Sequence, residues 1–144
     1  MQITRQADYA VRAVMYLSKL GTNARVSTAE IAREQSIPTT FLAKIVSQLA
    51  SSGVVRATRG ARGGVTLARP PEEISLLEIV EAIDGPMALN ECVLDASRCP
   101  MSVECPVRPV WCDVQSTLAR QLAQANFGLL VKHNGSIPLS TIGD

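Results

Sequence analysis

The stretch that most restricts the fold is residues 54–68. Val54-Val55-Arg56-Ala57-Thr58-Arg59 alternates at the period of a strand, and Val65-Thr66-Leu67-Ala68 alternates again. Between them, Gly60-Ala61-Arg62-Gly63-Gly64 is a turn with three glycines. This pattern predicts a β-hairpin whose tip is flanked by arginines. Glycine lets a backbone come close to a partner. Arginine suits phosphate oxygens and a narrow minor groove.

Helical signals lead into this hairpin. Ala10, Val14 and Leu17, with Val11 and Met15 beside them, predict a helix over roughly residues 5–20, ended by Gly21. Ser27-Thr28-Ala29-Glu30 is a capping box. It opens a short helix with Ile31 and Ala32 inward, broken at Ser36-Ile37-Pro38. A third helix is predicted from Pro38 to Ser52, stopped by Gly53, with Leu42, Ile45, Val46 and Leu49 as its apolar stripe. Its other face carries Thr39, Thr40, Lys44, Ser47, Gln48 and Ser51, with no carboxylate, and such a face can lie in a major groove. Two short helices joined by a tight turn fit a helix-turn-helix. They also fit an ordinary helical hairpin with a solvated face. The β-hairpin directly behind them, as a wing, favours the DNA-binding unit. Its candidate DNA contacts are Thr39, Thr40, Lys44, Ser47 and Gln48 on the helix and Arg56, Arg59, Gly60 and Arg62 on the wing.

The formal charge of the 144 residues is +1, which taken alone argues against nucleic acid. Division at Pro70-Pro71 reverses that. Residues 1–70 hold ten basic and three acidic residues, a balance of +7; residues 71–144 hold four and ten, a balance of −6. Two opposed regions suggest two jobs. The expected organisation is a DNA-binding region over 1–70, a cofactor and dimerisation region over 71–131, and a flexible tail over 132–144. An apolar content of 47% excludes wholesale disorder. No apolar run approaches the roughly eighteen residues of a membrane span, and MQITRQADYA lacks a secretory pattern. A cytoplasmic protein is expected.

In the acidic region, Ser75-Leu76-Leu77-Glu78 is a second capping box. It opens a short helix that ends at Asp84-Gly85-Pro86. Then Cys92, Cys99, Cys105 and Cys112 fall within 21 residues as C-x6-C-x5-C-x6-C. Residues 85–106 lack periodicity and contain Pro86, Pro100 and Pro106, so a loop is expected. A loop can bend thiolates around one centre. Structural zinc usually uses tighter pairs, and disulfides are unusual in a reducing cytoplasm. Iron–sulfur clusters tolerate varied spacing. The residues alone leave open a cluster, zinc, or a thiol switch and free thiols.

After Pro106, the residues Val107, Trp111, Val114, Leu118, Leu122, Ala125 and Leu129 step by four and three. They predict one helix of about 25 residues, roughly 37 Å long. Its stripe exceeds what so small a domain covers, so a second copy's helix is the expected partner. His133, the single histidine, is read as solvated in the polar tail. No Ser-His-Asp set, catalytic carboxylate pair, phosphate loop or C-x2-C pair is evident. An enzyme and a small-molecule substrate are not expected.

Over roughly residues 1–130 the chain resembles the Rrf-two family of bacterial transcription regulators. The likeness rests on ADYAVRAVMYLS, FLAKIVSQLASSGVVRATRGARGGVTLARP, ISLLEIVEAIDG and the cysteine loop. It implies a mainly α fold with a small β-hairpin: a winged helix-turn-helix, the cysteine loop, and long C-terminal helices crossed in a homodimer. It also implies an iron–sulfur cluster, 2Fe-2S or 4Fe-4S, bound by cysteines matching Cys92, Cys99 and Cys105. Some members add a histidine three residues after the third cysteine, where this chain has Arg108. Others use an acidic residue from the partner subunit's first helix, where Asp8 stands. Cys112 departs from the three-cysteine pattern, so the fourth ligand is Asp8 or Cys112. Arg59 matches a wing arginine that the family uses in the minor groove. A recognition-helix glutamate that discriminates operators in one branch is replaced by Ala43. The implied function is a sequence-specific regulator, a repressor, of double-stranded DNA operators. Its DNA affinity would follow the cluster and so redox state, iron, cluster supply or nitric oxide. The alternative is a dimeric protein-interaction, thiol-dependent or zinc-dependent regulator without a cluster.

Overall fold

The computed structural model describes residues 2–133. The elements are α1 (Arg5–Leu20), α2 (Thr28–Gln35), α3 (Thr39–Ser51), β1 (Val55–Thr58), β2 (Gly64–Leu67), α4 (Leu76–Asp84), α5 (Glu91–Leu94), α6 (Arg108–Gln124) and α7 (Phe127–Lys132). The fold is therefore mainly helical with one antiparallel hairpin, in which Val55 faces Leu67 and Thr58 faces Gly64. Among the described residues no helix is long and apolar enough to cross a membrane.

Local chemistry accounts for the helix starts. Both predicted capping boxes supply the cap: the Ser27 hydroxyl accepts the Glu30 N–H, and the Ser75 hydroxyl accepts the Glu78 N–H. Thr4 caps α1 by accepting the Ala7 N–H, and its own N–H donates to Asp84 at 3.2 Å. The tight turn between α2 and α3 uses Ser36 in the left-handed region at φ 53°. One core then joins the elements. Leu17 of α1, Ile31 of α2, Leu42 and Ile45 of α3, Val65 of the hairpin and Ile79 of α4 are all buried in it. Each lies on the apolar stripe of its element, so a single burial event fixes helix rotation and hairpin face together.

The predicted helix after Pro106 requires correction. It is two helices, α6 of 17 residues and α7 of 6, separated at Ala125 and Asn126. The Asn126 side chain accepts the Leu129 N–H at 2.9 Å and caps α7. On either side of it, Leu76 N–H donates to Ala125 O at 2.8 Å and Phe127 N–H donates to Ile74 O at 3.0 Å. These bonds turn the chain back along residues 74–76 and sink Phe127 completely into the core. Leu129, expected on one continuous stripe, therefore belongs to α7. The stripe left on α6 spans about 25 Å instead.

Residues 85–106, read as a loop, contain α5 and a short 3-10 turn over Ala96–Arg98. The tail expected over 132–144 lies outside the described residues apart from Lys132 and His133, which are both exposed.

Candidate nucleic-acid interface

A cleft of about 740 Å³ runs between α3 and the hairpin. Ala43, Ser47 and Ser51 line one wall; Thr58, Arg59 and Gly60 line the other. Thr39, Thr40, Lys44 and Ser47 are exposed on α3, as are Arg56, Arg59, Gly60 and Arg62 on the hairpin. Eight of the nine predicted DNA contacts are thus exposed. Gln48 differs. It is half-buried, and its Oε1 is buried with no hydrogen-bond partner among the described residues. Pro38 precedes α3 and offers no side-chain cap, so the first-turn amides stay open to an anion.

The wing is shaped by its glycines. Gly60 has φ +99°, a conformation that L side chains rarely adopt. A Cβ on Gly63 would lie 2.1 Å from the Thr58 carbonyl oxygen. Gly63→Ala is therefore expected to destabilise the hairpin by about 1–3 kcal/mol and to weaken DNA binding with it. Thermal melts and a duplex titration on one preparation check this, and a variant unchanged in both would contradict the role of the turn.

Two wing supports escaped the sequence reading. Val26 forms a bridge to Val65, with N–H···O distances of 3.0 and 2.7 Å, so the α1–α2 connection adds a third edge to the sheet. Arg25 Nη1 donates to Arg62 O at 2.6 Å and holds the tip. A one-residue bridge has no alternating pattern to reveal it. At the base, Arg69 donates to Gly53 O at 3.3 Å and Glu73 O at 2.9 Å and pairs with Glu78, tying the wing to α4. By contrast, Lys44, Arg56, Arg59 and Arg62 enter no ion pair among the described residues. Their charge is free for phosphates.

The cysteines follow α4 in the chain, from α5 into α6. Cys92 is buried on α5, while Cys99, Cys105 and Cys112 are half-buried, all with free thiols. The segment is clamped to α6. Arg108 Nε donates to Cys92 O at 3.0 Å. Gln115 accepts the Leu89 N–H at 2.9 Å and donates to Met87 O at 2.8 Å. Within the segment, Asp95 accepts the Ser97 hydroxyl at 2.7 Å and the Ser97 N–H at 3.0 Å, and these bonds hold its carboxyl below the ordinary carboxylate range. Thiolates are the soft donors that iron–sulfur and zinc sites use. Among the described residues, however, no three Cys, His, Asp or Glu side chains share a centre that could hold a metal ion. Asp8 lies on α1, where its carboxylate pairs with Arg12 at 2.5 Å. Val107, the cap residue before α6, and Val110, Trp111 and Val114 on it are exposed, and the helix buries no residue.

Fold and surface together define a winged helix-turn-helix protein. Residues 3–133 match the family model described as Rrf2, iron-dependent transcriptional regulator, and the chain belongs to that family. It is 41% identical over 88 residues to an HTH-type transcriptional regulator of Mycobacterium tuberculosis. That match covers 61% of this chain and 55% of the relative, so the chain spans little more than half of that protein. CymR, the global cysteine regulator of B. subtilis, superposes with a TM-score of 0.74 at 23% identity, over 92% of this chain and 97% of that one. IscR of T. potens does so at 0.70 and 22%, over 96% and 93%. At these identities the two structures establish the fold. The matching regulators are not enzymes.

Proposed function

We propose that the chain is a homodimeric repressor whose affinity for an operator duplex follows an iron–sulfur cluster held by Cys92, Cys99 and Cys105. The observation that carries the reading is the clamping of the cysteine segment to α6, through Arg108 to Cys92 and Gln115 to the 87–89 backbone. α6 packs on α4, and α4 packs on α1 and α3. A rearrangement of the cysteine segment is thereby passed to the recognition helix through packed elements, which shift as units. The iron-dependent description of the family supports iron as the occupant. The partner subunit's Asp8 or this chain's Cys112 completes the ligand set. Were it Asp8, its pairing with Arg12 would have to open. A bound cluster would supply an iron centre that oxidation, iron loss or nitric oxide can alter. The exposed apolar face of α6 supports a second copy as its cover. Two copies would present two recognition helices to two half-sites.

Protein purified without oxygen is expected to hold iron and acid-labile sulfide, to absorb in the visible, and to lose both in Cys99→Ser. A colourless protein with stoichiometric zinc would overturn the cluster. A second reading, a thiol-dependent regulator without a cluster, is favoured by the lack of a shared centre among the described donors. It predicts DNA affinity that follows thiol oxidation in an iron-free protein.

A further inference from the structure

We propose that α3 reads thymine methyl groups in the major groove, through the methyls of Thr40 and Ala43. This rests on the reading of the chain as a DNA-binding regulator and names the feature of the duplex that it recognises.

Base edges are read most specifically by forked side chains: arginine on guanine, asparagine or glutamine on adenine, and carboxylates on cytosine. From Thr39 to Ser51, α3 contains no arginine, asparagine, aspartate or glutamate. Its one amide, Gln48, has Oε1 buried, whereas an adenine contact needs that oxygen to accept from the base while the amide nitrogen donates. Phe41 is exposed but lies to the flank, its ring centroid 6.2 Å from that of Tyr9 on α1. The residues left on the outward stripe are Thr40, Ala43, Lys44, Ser47 and Ser51, all exposed and spaced i, i+3, i+4, i+7 and i+11. Ala43 and Ser47 also line the cleft towards the wing.

Lys44 is the one cation of this stripe, able to take a phosphate or a guanine edge. Ser47 has a single hydroxyl, which accepts several bases. Thr40 and Ala43 present methyl groups on the exposed face of the helix. The thymine C5-methyl is the apolar group that B-DNA offers in the major groove, and alanine and the threonine methyl are its matching contacts. The free charge of Lys44, Arg56, Arg59 and Arg62 around the stripe fixes the partner as a polyanion and brings the helix to the groove. The operator half-site is therefore expected to place thymines opposite Thr40 and Ala43.

The test begins with the full chain, purified without oxygen, and a randomised 30-base-pair duplex library. The tightest duplex is then remade with deoxyuridine for each conserved half-site thymine in turn, which removes only the methyl. Affinity is expected to fall about fourfold for each buried methyl, and about fifteenfold when the same thymine is changed in both half-sites. Thr40→Ser and Ala43→Gly remove the protein methyls from exposed positions, and each should abolish the deoxyuridine effect at its own thymine only. Undiminished binding of the deoxyuridine duplexes, or a deoxyuridine effect untouched by both variants, would overturn methyl reading while leaving the regulator intact. A library from which nothing is selected would overturn the DNA-binding reading itself.

Discussion

Phe127→Ala is expected to destabilise the protein by about 3–5 kcal/mol, the range for emptying a fully buried aromatic site. Phe127 is the largest of the fully buried side chains. It opens α7, and its N–H is already committed to Ile74 O at 3.0 Å, so neither the chain nor its neighbours can easily follow the lost ring. Chemical denaturation gives the value directly as a lower midpoint. The result also tests the break after α6. Were residues 108–132 one continuous helix, Phe127 would sit on an unsupported extension, and its loss would change stability by no more than about 0.5 kcal/mol.

The second large effect is on DNA binding. Lys44, Arg56, Arg59 and Arg62 are exposed and unpaired with carboxylates among the described residues. In the proposed dimer, eight such cations would face a duplex. Raising salt from 50 to 200 mM is expected to lower affinity by about 10³–10⁵, because each neutralised phosphate releases counterions. Arg59→Ala should weaken binding and flatten the log–log slope by about 2 for the dimer, one phosphate contact per protomer. Fluorescence anisotropy across a salt series reads both. A slope near zero would remove this surface from consideration, and an unchanged slope in Arg59→Ala would remove Arg59 from the contact set.

The parts of this fold that were legible in the sequence are those dictated by local chemistry. Ser27 with Glu30 and Ser75 with Glu78 announced two helix starts because the cap and its donor are three residues apart. The hairpin was legible because its period and its glycines lie in one stretch. What was hidden depended on distant partners. Leu122, Ala125 and Leu129 keep helical spacing straight through the turn at Asn126, and only the pairing with residues 74–76 breaks it. Arg25 and Val26 support the wing through residues 37 and 39 positions further on, too short a contact to leave a pattern. Gln48 lies towards the polar face by position, yet its amide oxygen turns inward. The cysteine spacing showed which side chains could gather but not what would draw them together, since no bonded pattern within residues 92–112 specifies a centre.

One comparison tests the proposed coupling of the cysteine segment to the recognition helix. The anaerobic protein and the same preparation stripped of iron are titrated against its own upstream DNA at fixed salt. Specific binding is expected, with an affinity that differs at least tenfold between the two forms and with Arg108→Ala reducing the difference by releasing Cys92 from α6. Equal affinity in both forms would contradict the coupling.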